Sequence, residues 1–341
     1  MIKTSLFADQ EREAKLNKLG DALRVLEQHV DFVALAAEVD RAAPRPSRER
    51  GGRPPFPTEL MVRVLLIQQL FNLSDEQMEF QLLDRLSFQR FVGLRASSQI
   101  PDRTTIWTFK ERLIQAGASE SIFDAVNRQL SMHGYIARGG QMIDASIVQA
   151  PRQSLSKEEK ALVSEGAMPA DWKPAKRRQK DTDARWTKKH GKSYFGYKVS
   201  ANADKRYKLV RKIKVSTASE HDTTHFEEVL DPANTNRNIL ADKGYVDGER
   251  EARLSKQGWR MQIQRKGSKD KPISETQERR NRRIAKTRAR VEHVFAALAQ
   301  MGGKALRSIG LARATLHLSW KVAAYNLQRL VYLKEARIEA F

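Results

Sequence analysis

The stretch GQMIDASIV, residues 140–148, marks the point where the chain changes from helical to strand periodicity. It is short, apolar and rich in β-branched residues, which favours a strand. One acid, Asp144, interrupts it, and a carboxylate in an apolar strand is costly unless it is paired, hydrogen-bonded or bound to a metal ion. The stretch therefore predicts a β-sheet that begins near residue 139 and a functional acid within it.

Downstream of this strand the pattern predicts a mixed sheet covered by helices. Residues 151–192 interrupt the pattern as a basic insertion with little periodicity. The predicted elements after it are, in order, an antiparallel pair of strands at YFGYKVSAN and KLVRKIKVS, a helix at HDTTHFEEVL, a strand at NILADKGY, a helix over 247–257, a strand at WRMQIQ, and closing helices over about 277–299 and 312–335.

Upstream, residues 1–138 are predicted to form an all-α domain. Its first apolar residues alternate spacings of three and four, which indicates either a coiled-coil seam or, as we prefer, one helix packed on its own domain. Those residues are Leu16, Leu19, Leu23, Leu26, Val30, Val33 and Ala37. The stretch RAAPRPSRERGGRPPFP, residues 41–57, cannot build a helix or a sheet interior and is interpreted as a linker or a basic arm along phosphates.

Three helices are predicted after this arm. Ser74 and Gln77 form a capping box for the second helix, and Asp102, after Pro101, is an N-cap for the third. A short helix–turn–helix that contacts DNA is plausible here, although helical bundles that bind nothing show the same pattern. The inward residues are predicted to be Leu60, Met61, Val64, Leu65 and Phe71, then Met78, Leu82 and Leu86, then Ile106, Phe109 and Leu113.

The composition indicates an anionic polymer as the partner. The formal net charge is +21 over 341 residues, and a field of that sign attracts nucleic acid. An anionic membrane surface is the alternative, but no run of about 18 apolar residues is present. The sequence has no cysteine, which excludes disulfides and cysteine zinc fingers. No signal-peptide core is found either, so we expect a soluble, intracellular protein.

Carboxylates at two strands indicate metal chemistry. Asp242 lies at the end of a predicted strand, and if that strand neighbours the one carrying Asp144, a divalent cation removes the repulsion between them. Oxygen ligands without cysteine suit Mg²⁺, with Mn²⁺ as a substitute. A third acid from a helix would complete a two-ion site for phosphodiester chemistry. Glu292 is the candidate, since it follows the basic stretch RRNRRIAKTRAR and adjoins Val291 and Phe295.

Each acid also has a purely structural interpretation. An acid at a strand end often caps the following turn, and Glu292 can pair with Arg288 one turn earlier on a solvated helix. The segment HDTTH, residues 221–225, has the two-histidine spacing of a zinc-protease helix, but no third ligand is evident. Helix capping by Asp222 is the preferred interpretation there, with a minor role at the active site left open.

At these residues the sequence resembles the bacterial insertion-sequence transposases of the DDE type, specifically the insertion-sequence-five family. The resemblance runs from about Leu60 to Val331. Its blocks are NLSDEQMEFQLLDRLSFQRFVGL and PDRTTIWTFKERL in the helical module, MIDASIVQAP in the first catalytic strand, TKKHGKSYFGYKV in a basic hairpin, ILADKGY with the second acid, and RARVEHVF with the third.

The resemblance implies a ribonuclease-H-like α/β catalytic domain at 139–341, a mixed sheet flanked by helices, behind a helical domain at 1–138 that recognises DNA ends. It implies cleavage of double-stranded DNA at inverted repeats and insertion of the released ends elsewhere. A homo-oligomer, dimeric on DNA, in the bacterial cytoplasm with the nucleoid is the matching expectation.

One signature departs from the family. Relatives often show Tyr–Arg–Glu–Lys around the glutamate; Arg288 and Glu292 fit, but Ala285 and Ala299 stand at the tyrosine and lysine positions. Lys304 is the candidate replacement for that lysine.

We therefore interpret the chain as a DNA transposase in which Asp144, Asp242 and Glu292 are catalytic residues and metal ligands. The alternatives are a DNA-binding regulator or inactive transposase remnant, and a plain nuclease that shares the fold. Basic side chains are expected to hold backbone phosphates. They are Lys176, Arg177, Arg178, Lys180, Lys188, Lys189, Lys192, Arg282, Arg283, Lys286, Arg288 and Arg290.

Overall fold

The computed structural model describes residues 5–45, 51, 54–94, 97, 99–268 and 272–340. Its helices are α1 Ala8–Leu19, α2 Ala22–His29, α3 Phe32–Ala42, α4 Thr58–Leu70, α5 Asp75–Asp84, α6 Leu86–Val92, α7 Arg103–Gln115, α8 Ser121–Met132, α9 Lys157–Ser164, α10 Pro174–Gln179, α11 Gly248–Lys256, α12 Glu275–Gln300 and α13 Leu311–Glu335. Its strands are β1 Gln141–Gln149, β2 Arg185–Lys189, β3 Lys192–Asp204, β4 Val210–Thr217, β5 Asn238–Ala241 and β6 Arg260–Ile263.

The first apolar stripe is divided among three helices. Gly20, with a φ of 86°, ends α1. Asp21 then caps α2 by accepting a hydrogen bond from the Leu23 amide, and Asp31 caps α3 in the same way. Leu23 is buried, whereas Leu19 of the same stripe is 84% exposed. Both interpretations of the stripe, a coiled coil and a single helix, are therefore wrong, because one glycine and two capping aspartates break it.

The predicted caps are confirmed. Ser74 and Gln77 form a reciprocal capping box at the start of α5, and Asp102 caps α7. Most of the predicted inward residues are buried, but Phe71 and Leu86 are partly exposed, because Phe71 is the C-cap of α4 and Leu86 begins the separate helix α6. The predicted arm includes residues 46–50, 52 and 53, which lie outside the described residues.

The sheet has six strands in the described part of the chain, and its path is β2–β3–β1–β5–β6, with β4 also paired to β3. β3 runs antiparallel to β1, β2 and β4, whereas β1, β5 and β6 are parallel. The predicted antiparallel pair is confirmed as β3 and β4. Its predicted inner residues, Phe195, Tyr197, Val199 and Ala201, are all buried. β1 is thus central, with Asp144 in its middle.

The helix predicted at HDTTHFEEVL is wrong, because residues 222–229 form consecutive turns. His225 there hydrogen-bonds to Glu228 through Nδ1 and to Glu220 through Nε2, each at 2.6 Å. Short-range side-chain hydrogen bonds of this kind offer a segment an alternative to the helix.

The basic insertion is more ordered than its weak periodicity suggests, since it contains α9, α10 and β2. Ser156 and Glu159 form a capping box that opens α9, and this S-x-x-E signal is legible in the sequence. Asp181 is buried and accepts hydrogen bonds from the Tyr197 hydroxyl and the Gly310 amide. The insertion is thereby tied to the start of α13.

The closing helices match their predicted bounds to within two residues, at Glu275–Gln300 and Leu311–Glu335. α13 is buried over most of its length and packs on α4 and α8 as well as on β3 and β4. One hydrophobic core therefore extends from the helical region into one face of the sheet.

Candidate active site

Asp144 lies in β1, and Asp242 directly follows β5, the neighbouring parallel strand. Met142 of β1 stands opposite Leu240 of β5, and Asp144 and Asp242 each lie two residues further along the chain. Side chains two residues apart in a strand share a face, so Asp144 is on the same face as Met142. The structure therefore brings the two acids predicted from the sequence near each other, close to the carboxyl end of β5, and the charge of Asp242 acts on Asp144.

Arg288 of α12 neutralises Asp144. Its Nη1 lies 2.7 Å from Asp144 Oδ2, and both side chains are largely buried. The Ala145 amide donates to Asp144 Oδ1 at 2.9 Å. Burial raises the pKa of Asp144, Arg288 and the Ala145 amide oppose the rise, and the negative charge of Asp242 adds to it. The proposed pair between Arg288 and Glu292 is wrong, because Arg288 binds an acid 144 positions away.

Asp242 is held by the turn that follows it. Its Oδ1 accepts a hydrogen bond from the Gly244 amide at 2.7 Å, and a Cβ at Gly244 would lie only 3.0 Å from that oxygen. A side chain at residue 244 would therefore crowd the Asp242 carboxylate. Asp242 is partly buried, and its side chain caps the short 3₁₀ helix Lys243–Tyr245.

Tyr245 is a site residue that sequence reasoning did not single out, although it belongs to the quoted ILADKGY block. It is buried, and no hydrogen-bond partner for its hydroxyl is found among the described residues. Burial raises the pKa of Tyr245, and the charges of Asp144, Asp222 and Asp242 raise it further. The phenol therefore stays neutral among three acids.

Glu292 differs from the two aspartates in its surroundings. It lies on α12 one turn after Arg288 and is exposed. α12 packs against both β1 and β5, so the helix is adjacent to both aspartates. As the side chains stand, no group of three or more His, Asp or Glu residues within the described ranges could hold a metal ion.

Lys304 contacts β1 close to Asp144. Its Nζ donates to Ser146 Oγ, two residues beyond Asp144 on β1. The backbone brings it there, because the Gln149 amide donates to the Lys304 carbonyl at 2.8 Å. Burial and the charge of Lys189 lower the pKa of Lys304, and Asp144 opposes the decrease.

The basic hairpin β2–β3 supplies cations beside the acids. His190 and Gly191 have φ of 50° and 76°, which matches a tight two-residue turn. Lys188, Lys189 and Lys192 flank this turn and are exposed. The charge of Lys189 lowers the pKa of Asp144 as a minor contribution beside burial, which raises it.

The predicted phosphate contacts in and beside α10 are engaged within the protein. Lys176 hydrogen-bonds to Glu159, Arg177 Nε donates to the Trp172 carbonyl at 2.9 Å, and Lys180 Nζ donates to the Ser154 carbonyl at 2.9 Å. On α12, Arg282 pairs with Glu278 and Arg290 donates to the Lys205 carbonyl. The remaining predicted contacts, Arg178, Arg283 and Lys286, are exposed.

The HDTTH segment lies near β1 just beyond Asp144. Asp222 pairs with Lys198 at 2.8 Å, and its charge acts on Tyr245. A cleft of about 290 Å³ is bordered here by Ser146, Lys189 and Asp222. Asp222 does not cap a helix, since none forms there, and the neighbouring His225 is bound by Glu220 and Glu228.

Two family models match the chain. Residues 138–327, more than half of the chain, match the family described as "Transposase DDE domain". Residues 10–112 match the family described as "Transposase domain (DUF772)". A solved structure entitled "Cryo-EM structure of piggyBac transposase synaptic complex with hairpin DNA" superposes with a TM-score of 0.43 and 13% identity, over 94% of this chain and 76% of that one.

The chain therefore belongs to the family of DDE transposases. It is a DNA transposase, an enzyme of the class that acts on DNA with divalent metal ions. In the part of the chain that the structure describes, no helix is long and apolar enough to cross a bilayer.

Proposed function

We propose that this transposase cuts DNA at the inverted repeats of its element and joins the released ends to target DNA, with Asp144, Asp242 and Glu292 as catalytic metal ligands. The observation that carries the proposal is that Asp144 of β1 and Asp242, directly after β5, lie on adjacent parallel strands, with α12 packed against both strands. The donor set fits a divalent cation, because two carboxylates face each other and Arg288 already compensates one of them.

Placement in the insertion-sequence-five family and a ribonuclease-H-like catalytic domain belong to the same proposal. The strand sequence β4–β3–β1–β5–β6, antiparallel on one side of β1 and parallel on the other, supports that fold. The ordered sequence blocks and the Asp-x-Gly-Tyr turn support the family.

Different side chains are proposed to bind the metal ion, to orient its ligands and to bind phosphate. Mg²⁺, or Mn²⁺ in its place, would supply activation of the attacking water or 3′-hydroxyl and stabilisation of the leaving oxygen. Asp144 and Asp242 hold the ion from the sheet, and Glu292 holds it from α12. Arg288 fixes the orientation of Asp144. Lys304, on Ser146, offers a cation for a phosphate and takes the role that lysine has in the family signature.

Recognition and cutting are proposed to fall to different regions. Residues 1–138 recognise the element end, and residues 139–341 perform the reaction. Exposed lysines of the β2–β3 hairpin and exposed basic residues of α12 hold phosphates. A dimer assembled on DNA in the bacterial nucleoid would bring two ends together.

Substitution of the acids tests the site. Asp144→Asn, Asp242→Asn and Glu292→Gln keep the shape and remove the charge that attracts the ion, so each should reduce cleavage of an end-bearing duplex by at least about 10³-fold while binding persists. Cleavage in Mg²⁺ and binding in Ca²⁺ are measured on the same duplex, with exposed Glu249→Gln as control. Retention of the wild-type rate by any of the three would remove that residue from the site, and cleavage without strand transfer would indicate a nuclease.

Salt dependence tests the phosphate contacts. Replacing Lys188, Lys189 and Lys192 with Ala should lower the slope of log K against log salt by roughly 0.9 per lost contact, equally for end and scrambled duplexes. The matched set, Lys176, Arg177 and Lys180 to Ala, should change it less, because those side chains already have partners within the protein. Equal slopes for the wild type and the hairpin variant would show that the hairpin does not touch DNA.

A further inference from the structure

Lys321 is buried, and no carboxylate partner for it is found among the described residues. It lies in the middle of α13 with no exposed surface. Its Nζ donates to the Gln69 carbonyl at 2.9 Å and to the Met301 carbonyl at 2.6 Å. Burial lowers the pKa of Lys321 to about 7. A buried amino group is costly, so its retention at this point calls for an explanation.

The two carbonyls belong to the ends of two different helices. Gln69 lies in the last turn of α4, in the helical region, and Met301 is the C-cap of α12, which carries Arg288 and Glu292. Carbonyls at the end of a helix have no partner within it and carry the negative end of the helix dipole. One buried amino group therefore donates to carbonyls at two helix termini at once.

The turns that follow these helices interlock. Asn72, after α4, has a φ of 53°, and Gly302, after α12, has a φ of 79°. A Cβ at Gly302 would lie 2.2 Å from the side chain of Asn72, so only glycine allows this approach. Arg307 closes the contact by donating to the Asn72 carbonyl at 2.9 Å and to its Oδ1 at 3.2 Å.

The same segment continues directly to β1, the strand that carries Asp144. The Leu306 amide donates to the Gln149 carbonyl at 2.8 Å, and the Lys304 side chain meets Ser146. Ser146, Lys304 and Lys321 border one small cavity. Direct contacts therefore connect the end of α4 with Ser146, two residues beyond Asp144.

We infer that Lys321, together with the interlocked turns at Asn72 and Gly302, is a coupling joint that sets the position of α12 and the end of β1 relative to the helical region. The joint makes Lys321 a positioning residue: it touches no DNA and holds Glu292 and Asp144 in register with the region that binds the element end. This inference rests on the proposed function for its catalytic consequence but not for the joint itself.

The test compares Lys321→Met with Leu330→Ala in the full chain. Met fills the space without donating hydrogen bonds, and Leu330 is fully buried on the same helix, so its truncation destabilises the core without removing these bonds. Single-turnover cleavage at saturating DNA, the Kd for the end duplex, and amide hydrogen exchange are measured well below each unfolding transition.

Lys321→Met should slow single-turnover cleavage by about 10-fold or more, since small misplacements of reacting groups cost that much, and change Kd by less than about 3-fold. Exchange should rise together in the last turns of α4 and α12, and Leu330→Ala should show neither effect. Gly302→Ala keeps Lys321 but places a Cβ against the Asn72 side chain, so it should give the same slower cleavage and faster exchange as Lys321→Met. It replaces Lys321→Met in the test if that variant does not fold.

If both Lys321→Met and Leu330→Ala lose cleavage in proportion to their lost stability, the inference is wrong and Lys321 is an ordinary core residue. The inference is also wrong if exchange rises at only one helix end. If the wild-type protein did not cleave at all, the proposed function would fail, whereas the exchange measurement would still decide whether the joint exists.

Discussion

Asp144 and Glu292 are proposed to serve one reaction from opposite environments. Asp144 lies in the central strand, largely buried, fixed by Arg288 and by a backbone amide. Glu292 lies on the exposed side of α12, and no ion pair to it is found within the described ranges. The strand acid is held in place by its contacts, whereas under the proposed function a cation would draw the helix acid toward the site. The comparison indicates that the site is built from the sheet outward.

Substitutions of Asp144 and Glu292 should differ most in how much Mg²⁺ increases the free energy of unfolding. Binding of an ion to the folded state alone adds about 2.7 kcal/mol to the free energy of unfolding at 100 times Kd. Asp144→Asn should abolish the increase produced by Mg²⁺, whereas Glu292→Gln should keep part of it, because the two aspartates still face each other. Urea unfolding in EDTA and in Mg²⁺ measures this. An equal loss in both variants would mean that the helix acid is as fixed as the strand acid.

The ion pair itself gives the next largest effect. Arg288→Met removes the cation beside a largely buried carboxylate, and without metal the free energy of unfolding should fall by about 1–3 kcal/mol, the cost of leaving a buried polar group without its partner. Arg290→Met, two residues along the same helix at an exposed position, should change it by less than about 0.5 kcal/mol. Added Mg²⁺ should restore part of the loss in Arg288→Met. Equal stabilities of the two variants would show that Arg288 does not support Asp144.

The smallest expected effect is in the pH dependence of stability without metal. The folded-state pKa of Asp144 is raised, chiefly by burial, so its contribution to stability is fully present below the unfolded pKa and is lost as pH rises through the folded one. The stability of Asp144→Asn relative to wild type should therefore improve as pH rises from about 4 toward neutrality. Glu292→Gln is the comparison, and a parallel improvement there would assign the effect to overall charge instead.

Local signals in the sequence were sufficient for much of this architecture. The alternation of apolar residues correctly predicted β3 and β4, and capping side chains correctly predicted where α5 and α7 begin. An acid inside or after an apolar strand was enough to choose Asp144 and Asp242, because a buried carboxylate demands a reason.

What could not be predicted depends on contacts between distant residues or on competing local bonds. The partner of Arg288 is 144 positions away and not one turn away, and spacing along a helix cannot reveal it. At HDTTHFEEVL the spacing of apolar residues predicted a helix, but the segment forms turns in which His225 hydrogen-bonds to nearby side chains. Charge density likewise indicated phosphate contacts at Lys176 and Arg177, whose partners lie within the protein.

The place of α13 in the core has a consequence for the order of events during synthesis. Helices α4 and α8 leave the ribosome long before the helix that covers them. At roughly 5–20 residues per second, the interval from Met132 to Leu311 takes about 10–35 s. During that time the apolar faces of the nascent helices have no native cover, so this transposase is expected to depend on chaperones more while it is being made than after α13 has docked.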